Sequence, residues 1–153
     1  MDIDALEHEQ HMKRALELAR EAGECGDEPF GSVLVRDGEI VMEERNAVNY
    51  ADDIRRHPEL TLARRAASEF TCEQCRETVM YTSTEPCAMC SGGIYIAKLG
   101  GVVYSVSAER AGEVANNDLV VPSADIFERG SAAVPVVGPV LPDAGEQIHT
   151  EWW

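Results

Sequence analysis

Apolar residues in this chain recur with a helical period at the start, as short strand-like runs in the middle, and only thinly towards the end. Met12, Ala15, Leu16, Ala19 and Ala22 recur at helical spacing, in the i, i+3, i+4, i+7 pattern of one helix face. That spacing predicts an amphipathic helix over residues 4–22, stopped by Gly23, with its apolar stripe packed on a sheet. Residues 32–36 and 39–45 flank Asp37-Gly38, a dipeptide suited to a tight turn, and so predict a hairpin. Residues 46–56 are polar and read as a loop. Pro58 fits the first turn of a helix, and Leu60, Ala63, Ala67 and Phe70 mark its predicted buried face. A strand over 78–83, a helix over 87–97 and a strand over 102–106 follow. Beyond residue 107 the pattern weakens to a helix near 108–114, a short one near 123–128 and a strand near 134–140. The order predicts an α/β fold of three layers, α/β/α, with a mixed five-stranded sheet and helices on both faces.

Neither an internal repeat nor a low-complexity linker divides the 153 residues, so residues 1–153 are expected to form a single domain with one core. Residues 141–153 read as a C-terminal tail. It ends in Trp152-Trp153, a pair that belongs at a free terminus only if the terminus docks. Nothing in the chain is long and apolar enough to span a bilayer, and Met1-Asp2-Ile3-Asp4 is acidic where a signal peptide would be basic, so no membrane partner and a cytoplasmic location are expected. In a reducing compartment the five cysteines remain thiols.

A net charge of −15 and only two lysines, Lys13 and Lys98, argue against a grip on a polyphosphate backbone, which calls for a basic stripe. Dense surface acid also keeps proteins soluble in high salt, so the excess can record habitat instead. On either reading a small molecule is the expected partner, and no nucleic acid.

The chemistry-bearing residues are His57-Pro58-Glu59 and, after a gap suited to one helix and one strand, Pro86-Cys87-Ala88-Met89-Cys90. Cys87 and Cys90 are three apart at a helix start, so both sulfurs lie on one face of its first turn. His57 at the start of the preceding helix can bring an imidazole to the same point. Three ligands of this kind with one unliganded carboxylate describe a catalytic zinc site, where a structural site would be closed by four protein ligands. One Zn²⁺ per chain, held by His57, Cys87 and Cys90, is therefore expected, with Glu59 as the catalytic proton carrier. A rival arrangement joins Cys72-x-x-Cys75 to Cys87-x-x-Cys90 as a four-cysteine structural zinc module. It leaves His57-Pro58-Glu59 without a purpose, and the gap between its pairs is short for a zinc ribbon. Cys72 and Cys75 are read as lying in a helix-to-strand loop.

His-x-Glu with Pro-Cys-x-x-Cys is the signature of zinc-dependent base deaminases. The chain resembles the cytidine deaminase superfamily and, within it, the guanine deaminases and tRNA adenosine deaminases. The similar segments run from Pro29-Phe30-Gly31-Ser32-Val33 through Asn46, then over 57–67 and 80–97, and thin out beyond about residue 107. The resemblance implies a cytidine deaminase-like fold and a hydrolase acting on C–N bonds of cyclic amidines. It further implies a homodimer, and hydrolytic release of ammonia from a free nucleobase or nucleoside. Guanine is the first expected substrate, cytosine or a related small heterocycle the second and tRNA adenosine the third. A non-catalytic scaffold is the reading from a different class, and the presence of Glu59 argues against it. Asn46 matches the position that hydrogen-bonds substrate, Phe30 a pocket-lining residue, and Asp118 a second acidic residue of guanine deaminases. Trp152 and Trp153 are read in two ways: they pack on the protein's own surface or on a partner subunit, or they close over the substrate, as the C-terminal segment does in guanine deaminases that exchange it between subunits. Pro58 departs from the usual alanine or glycine and lacks the backbone N–H that can donate to a substrate carbonyl.

Overall fold

The computed structural model describes residues 2–115 and 117–152. Five strands form one sheet in the order β2-β1-β3-β4-β5, where β1 is Gly31–Arg36, β2 Glu39–Arg45, β3 Val79–Thr84, β4 Gly101–Val106 and β5 Val136–Val137. β1 runs antiparallel to β2 and β3, whereas β3, β4 and β5 are mutually parallel. Asp37 and Gly38 turn the β1–β2 hairpin with φ of 54° and 77°, the left-handed pair that matches strand twist. The register slips between Leu34 and Val35, leaving Val41 as the extra residue of a bulge.

Alternation along the strands feeds two cores. Val33, Val35, Val79, Tyr81 and Val103 face one side, where they meet α1 (His8–Glu24) and Ile148 of the last helix, while Leu34, Met80 and Val102 face the other. On that second side lie α3 (Pro58–Glu69), α4 (Cys72–Arg76), α5 (Ala88–Ala97) and Phe127 of a later short helix. The three-layer α/β/α architecture is therefore as expected, because buried strands with helices on both faces must send apolar side chains both ways.

Several local expectations change. A 3₁₀ turn at Ile3–Ala5, capped by the Asp2 carboxylate, precedes α1, which starts only at His8. Gly23 does not stop α1 but lies within it, and a Cβ there would stand 2.5 Å from the Trp152 ring. The inner face of α3 is Glu59, Leu62, Ala63 and Ala66; Ala67 is exposed, and Leu60 and Phe70 are only partly buried. The stripe is displaced by one position because an acid, not an apolar residue, begins it. The polar loop over 46–56 contains a short helix, α2 (Val48–Ala51), and Cys72 and Cys75 lie on α4, whose start is closed by a Thr71–Gln74 capping box. The strand near 134–140 shrinks to the two residues of β5. Residues 142–152 are not a loose tail but a helix, α8 (Pro142–Trp152), packed on α1 and β4. Two further helices, α6 (Ala108–Ala115) and α7 (Ser123–Phe127), stand between β4 and β5. No helix among the described residues is long and apolar enough to cross a membrane.

Candidate metal and active site

The parallel strands β3 and β4 end next to the first turns of α3 and α5, and the predicted ligands converge there. His57 is the N-cap of α3 with Pro58 as its first helical residue, and Cys87 is the N-cap of α5 with Cys90 in its first turn. The His57 Nδ1 lies 3.7 Å from Cys87 Sγ and 3.6 Å from Cys90 Sγ, and the three ligand atoms all fall within 4.8 Å of one another. Zinc bonds of about 2.3 Å to sulfur and about 2.0–2.1 Å to nitrogen, at a tetrahedral angle, require a sulfur–nitrogen separation of about 3.6 Å. The donor set therefore fits zinc in both chemistry and spacing. Hydrogen bonding from Cys90 draws the Cys87 thiol down to about 4. The same bond, with burial, pushes Cys90 up. Hydrogen bonding to Cys87 raises the His57 imidazole against the effect of its burial.

Glu59 stands beside this trio, 5 % exposed, with Oε2 3.7 Å from Cys90 Sγ. Desolvation raises its carboxyl above the usual range, opposed by a hydrogen bond from the Thr82 hydroxyl. That hydroxyl lies 2.7 Å from Glu59 Oε1 and 3.0 Å from the Thr84 carbonyl, and it accepts from Ser32 Oγ at 2.8 Å. Its single proton serves the carboxylate when Glu59 is ionised and the carbonyl when Glu59 holds the proton. The site can thus keep either form of Glu59 hydrogen-bonded, which a group that alternates between base and acid needs.

A cavity of about 460 Å³ opens over these groups, with Glu28, Phe30, His57, Glu59, Thr84, Glu85 and Cys87 on one side. The rest of the lining is Ala108, Ala111, Gly112 and Ala115 of α6, then Asn117 and Leu119 to Val121, apolar apart from the Asn117 amide. Of the residues expected to contact substrate, Phe30 lines this cavity. Asn46 is fully buried beside it, donating its backbone N–H to the Phe30 carbonyl at 2.9 Å. Its side chain accepts from Val48 N–H at 3.0 Å, and its Nδ2 has no protein partner. Asp118 is exposed and absent from the lining, although its neighbours Asn117 and Leu119 take part in it. Trp152 does not cover the cavity; its ring rests on Gly23 with the Arg20 guanidinium 5.8 Å from its centre, on the α1 side of the sheet. Trp153 lies outside the described residues.

Three contributors were not predicted. Thr82 gave no local signal beyond strand propensity. His149, on α8, is buried and bonds Thr84 Oγ1 at 2.8 Å while its ring meets the edge of Phe30, 5.9 Å between centres. Glu85 is the third. Immediately before the Pro-Cys motif, it was readable as a conspicuous acid but not as a buried one.

Residues 6–106 match the family model of the cytidine and deoxycytidylate deaminase zinc-binding region, and the chain belongs to this family of zinc-dependent deaminases. It is 39 % identical to the guanine deaminase of Bacillus subtilis over 114 residues, 74 % of this chain and 73 % of that one. Similarity to a probable cytosine deaminase of Schizosaccharomyces pombe, 29 % over 155 residues, spans 94 % of this chain and 90 % of the relative. A solved structure of a tRNA:A34 deaminase, from work on A-to-I editing at the wobble position, superposes with a TM-score of 0.72 at 27 % identity, over 91 % of this chain and 98 % of that one.

Proposed function

We propose that the chain is a hydrolytic deaminase of a free aminated nucleobase or nucleoside, with guanine as the preferred ring. The observation that carries this reading is the buried, unliganded Glu59 carboxylate beside a three-donor zinc site, at the base of a cavity sized for one heterocycle. His57, Cys87 and Cys90 would hold the zinc, which would supply Lewis-acid acidification of water. Glu59 takes that water's proton as its oxygen adds to the ring carbon bearing the amine, delivers it to the ring nitrogen, and then moves a second proton to the departing nitrogen. The balance is amine plus water to carbonyl plus ammonia. Phe30 and the α6 face offer the flat ring its apolar sides, and Asn46, behind Phe30 with its Nδ2 buried and without a protein partner, is the group we assign to donate to a ring acceptor.

The identity to a guanine deaminase supports guanine, and the similarity to a probable cytosine deaminase over nearly the whole chain supports cytosine as the second reading. The charge of −15 weighs against tRNA adenosine. We take the active form to be a homodimer acting in the cytoplasm, where its five free cysteines persist as thiols. Ammonia release from guanine, adenine, cytosine and their nucleosides, beside inosine formation in a tRNA anticodon stem, tests the reading. Guanine is expected to be the best substrate, and activity confined to tRNA would overturn it. Glu59→Gln should keep one zinc per chain and lose roughly 10²–10⁴ in turnover. Near-normal ammonia release by that variant would refute the proton-carrier role.

A further inference from the structure

More than half of the cavity lining comes from one excursion of the chain, residues 108–121, which leaves the sheet at the end of β4 and returns at α7. Both ends of that excursion are fastened to one side chain. Glu85 Oε1 accepts the Ala108 N–H at 2.9 Å, and Oε2 accepts the Ser123 N–H at 2.8 Å and the Ser123 hydroxyl at 2.6 Å. The Glu85 backbone is itself fixed, its N–H donating to the Val106 carbonyl at 2.8 Å. Glu85 is 8 % exposed, and each of its carboxylate oxygens has a donor, so it has little capacity left to bind substrate. Between the clamped ends the wall closes on itself: a Cβ on Gly112 would come within 2.6 Å of Val120 Cγ2.

We propose that Glu85 is the positioning residue for substrate fit: a single buried carboxylate, two residues from the ligand Cys87, that holds the α6-to-α7 wall at a set distance from the metal centre. The wall touches the face of a bound ring and contributes no proton, so its placement governs binding more than the chemical step. Apart from Glu85, the wall is held where α6 meets α8, through the solvent-exposed Arg110–Glu146 ion pair among other contacts; an exposed pair is a weak anchor, whereas charge-assisted hydrogen bonds to buried backbone N–H groups are stronger than the neutral ones that could replace them. The inference rests on the deaminase reading for its kinetic consequence, though not for its structural one.

The test uses the zinc-loaded full chain and the variants Glu85→Gln and Ser123→Ala, with guanine and cytosine as probes. An amide at position 85 turns a donor towards one of the two N–H groups and releases one end of the wall. Glu85→Gln should therefore retain one zinc per chain and raise KM by roughly tenfold or more, with kcat within about threefold. Amide exchange in residues 108–121 should speed up while α3 and α5 keep their protection. Ser123→Ala removes only the hydroxyl donor and should show the same pattern more weakly, which keeps the idea testable if Glu85→Gln folds poorly. Unchanged KM with a lower melting temperature, loss of zinc, or faster exchange spread evenly over the molecule would overturn the proposal. If the wild-type chain deaminates neither base, the functional reading fails, and the exchange pattern alone still decides the clamp.

Discussion

Two Cys-x-x-Cys pairs sit fifteen residues apart in this chain, each at the start of a helix, and among the described residues only one joins a three-donor group that could hold a metal. Cys87 and Cys90 share His57 Nδ1 at 3.7 and 3.6 Å beside a buried carboxylate. Cys72 points to the Lys98 ammonium at 3.8 Å, whereas Cys75 is buried and donates to the Ala66 carbonyl at 3.6 Å. The spacing is identical but the placement is offset by one residue: Cys87 is the extended N-cap of α5, whereas Cys72 follows the Thr71 cap as the first helical residue of α4. What separates them is the third donor: α3 delivers an imidazole to α5 and a backbone carbonyl to α4. A cation needs lone pairs unshared with protons, and only the first pair has three such groups facing one point.

The largest effect that could break this contrast is on metal content. Cys90→Ser should lose the zinc and bring ammonia release to background, while Cys72→Ser/Cys75→Ser keeps one zinc per chain by elemental analysis. Zinc loss in the second variant would revive the four-cysteine module. Alkylation sharpens the contrast next. With zinc bound, the exposed Cys25 and Cys72 should be labelled and Cys87 protected. After chelation Cys87 should label rapidly, and since its thiol is drawn down to about 4, its thiolate persists and the rate should stay flat as pH falls until about that value. A rate that already declined at neutral pH would mean that Cys90 does not stabilise that thiolate. A smaller effect concerns stability alone. Cys75→Ala should cost about 1–2 kcal/mol in denaturant unfolding, from lost burial between α3 and α4, with zinc content unchanged. Smallest of all, Cys72→Ser should change stability by no more than about 0.5 kcal/mol, because its thiol is exposed.

Legibility followed the range of the interactions. The hairpin turn at Asp37-Gly38, the start of α3 at Pro58 and the helix after Cys87 depend on residues within a turn of one another, and all three appear where the pattern places them. The face of α3 was misjudged for a different reason. Hydrophobic period is read from apolar residues, and this helix buries Glu59 at the head of its inner stripe. The roles expected of Asp118 and Trp152 came from resemblance in a part of the chain where it had thinned, and each side chain lies away from the cavity.

By itself the sequence determined the order of the strands and of the helices α1, α3, α5, α6 and α7, and it singled out His57, Cys87, Cys90 and Glu59, which the structure brings together, since metal and acid–base chemistry admit few residue types and the spacing needed to present them is local. The tertiary structure alone decided what surrounds them. Glu85 meets Ala108 and Ser123 from 23 and 38 positions away, His149 reaches Thr84 across 65, and Trp152 seats on Gly23. Such pairings leave no periodic trace, because each partner is chosen by the way distant elements pack and not by its neighbours in the chain.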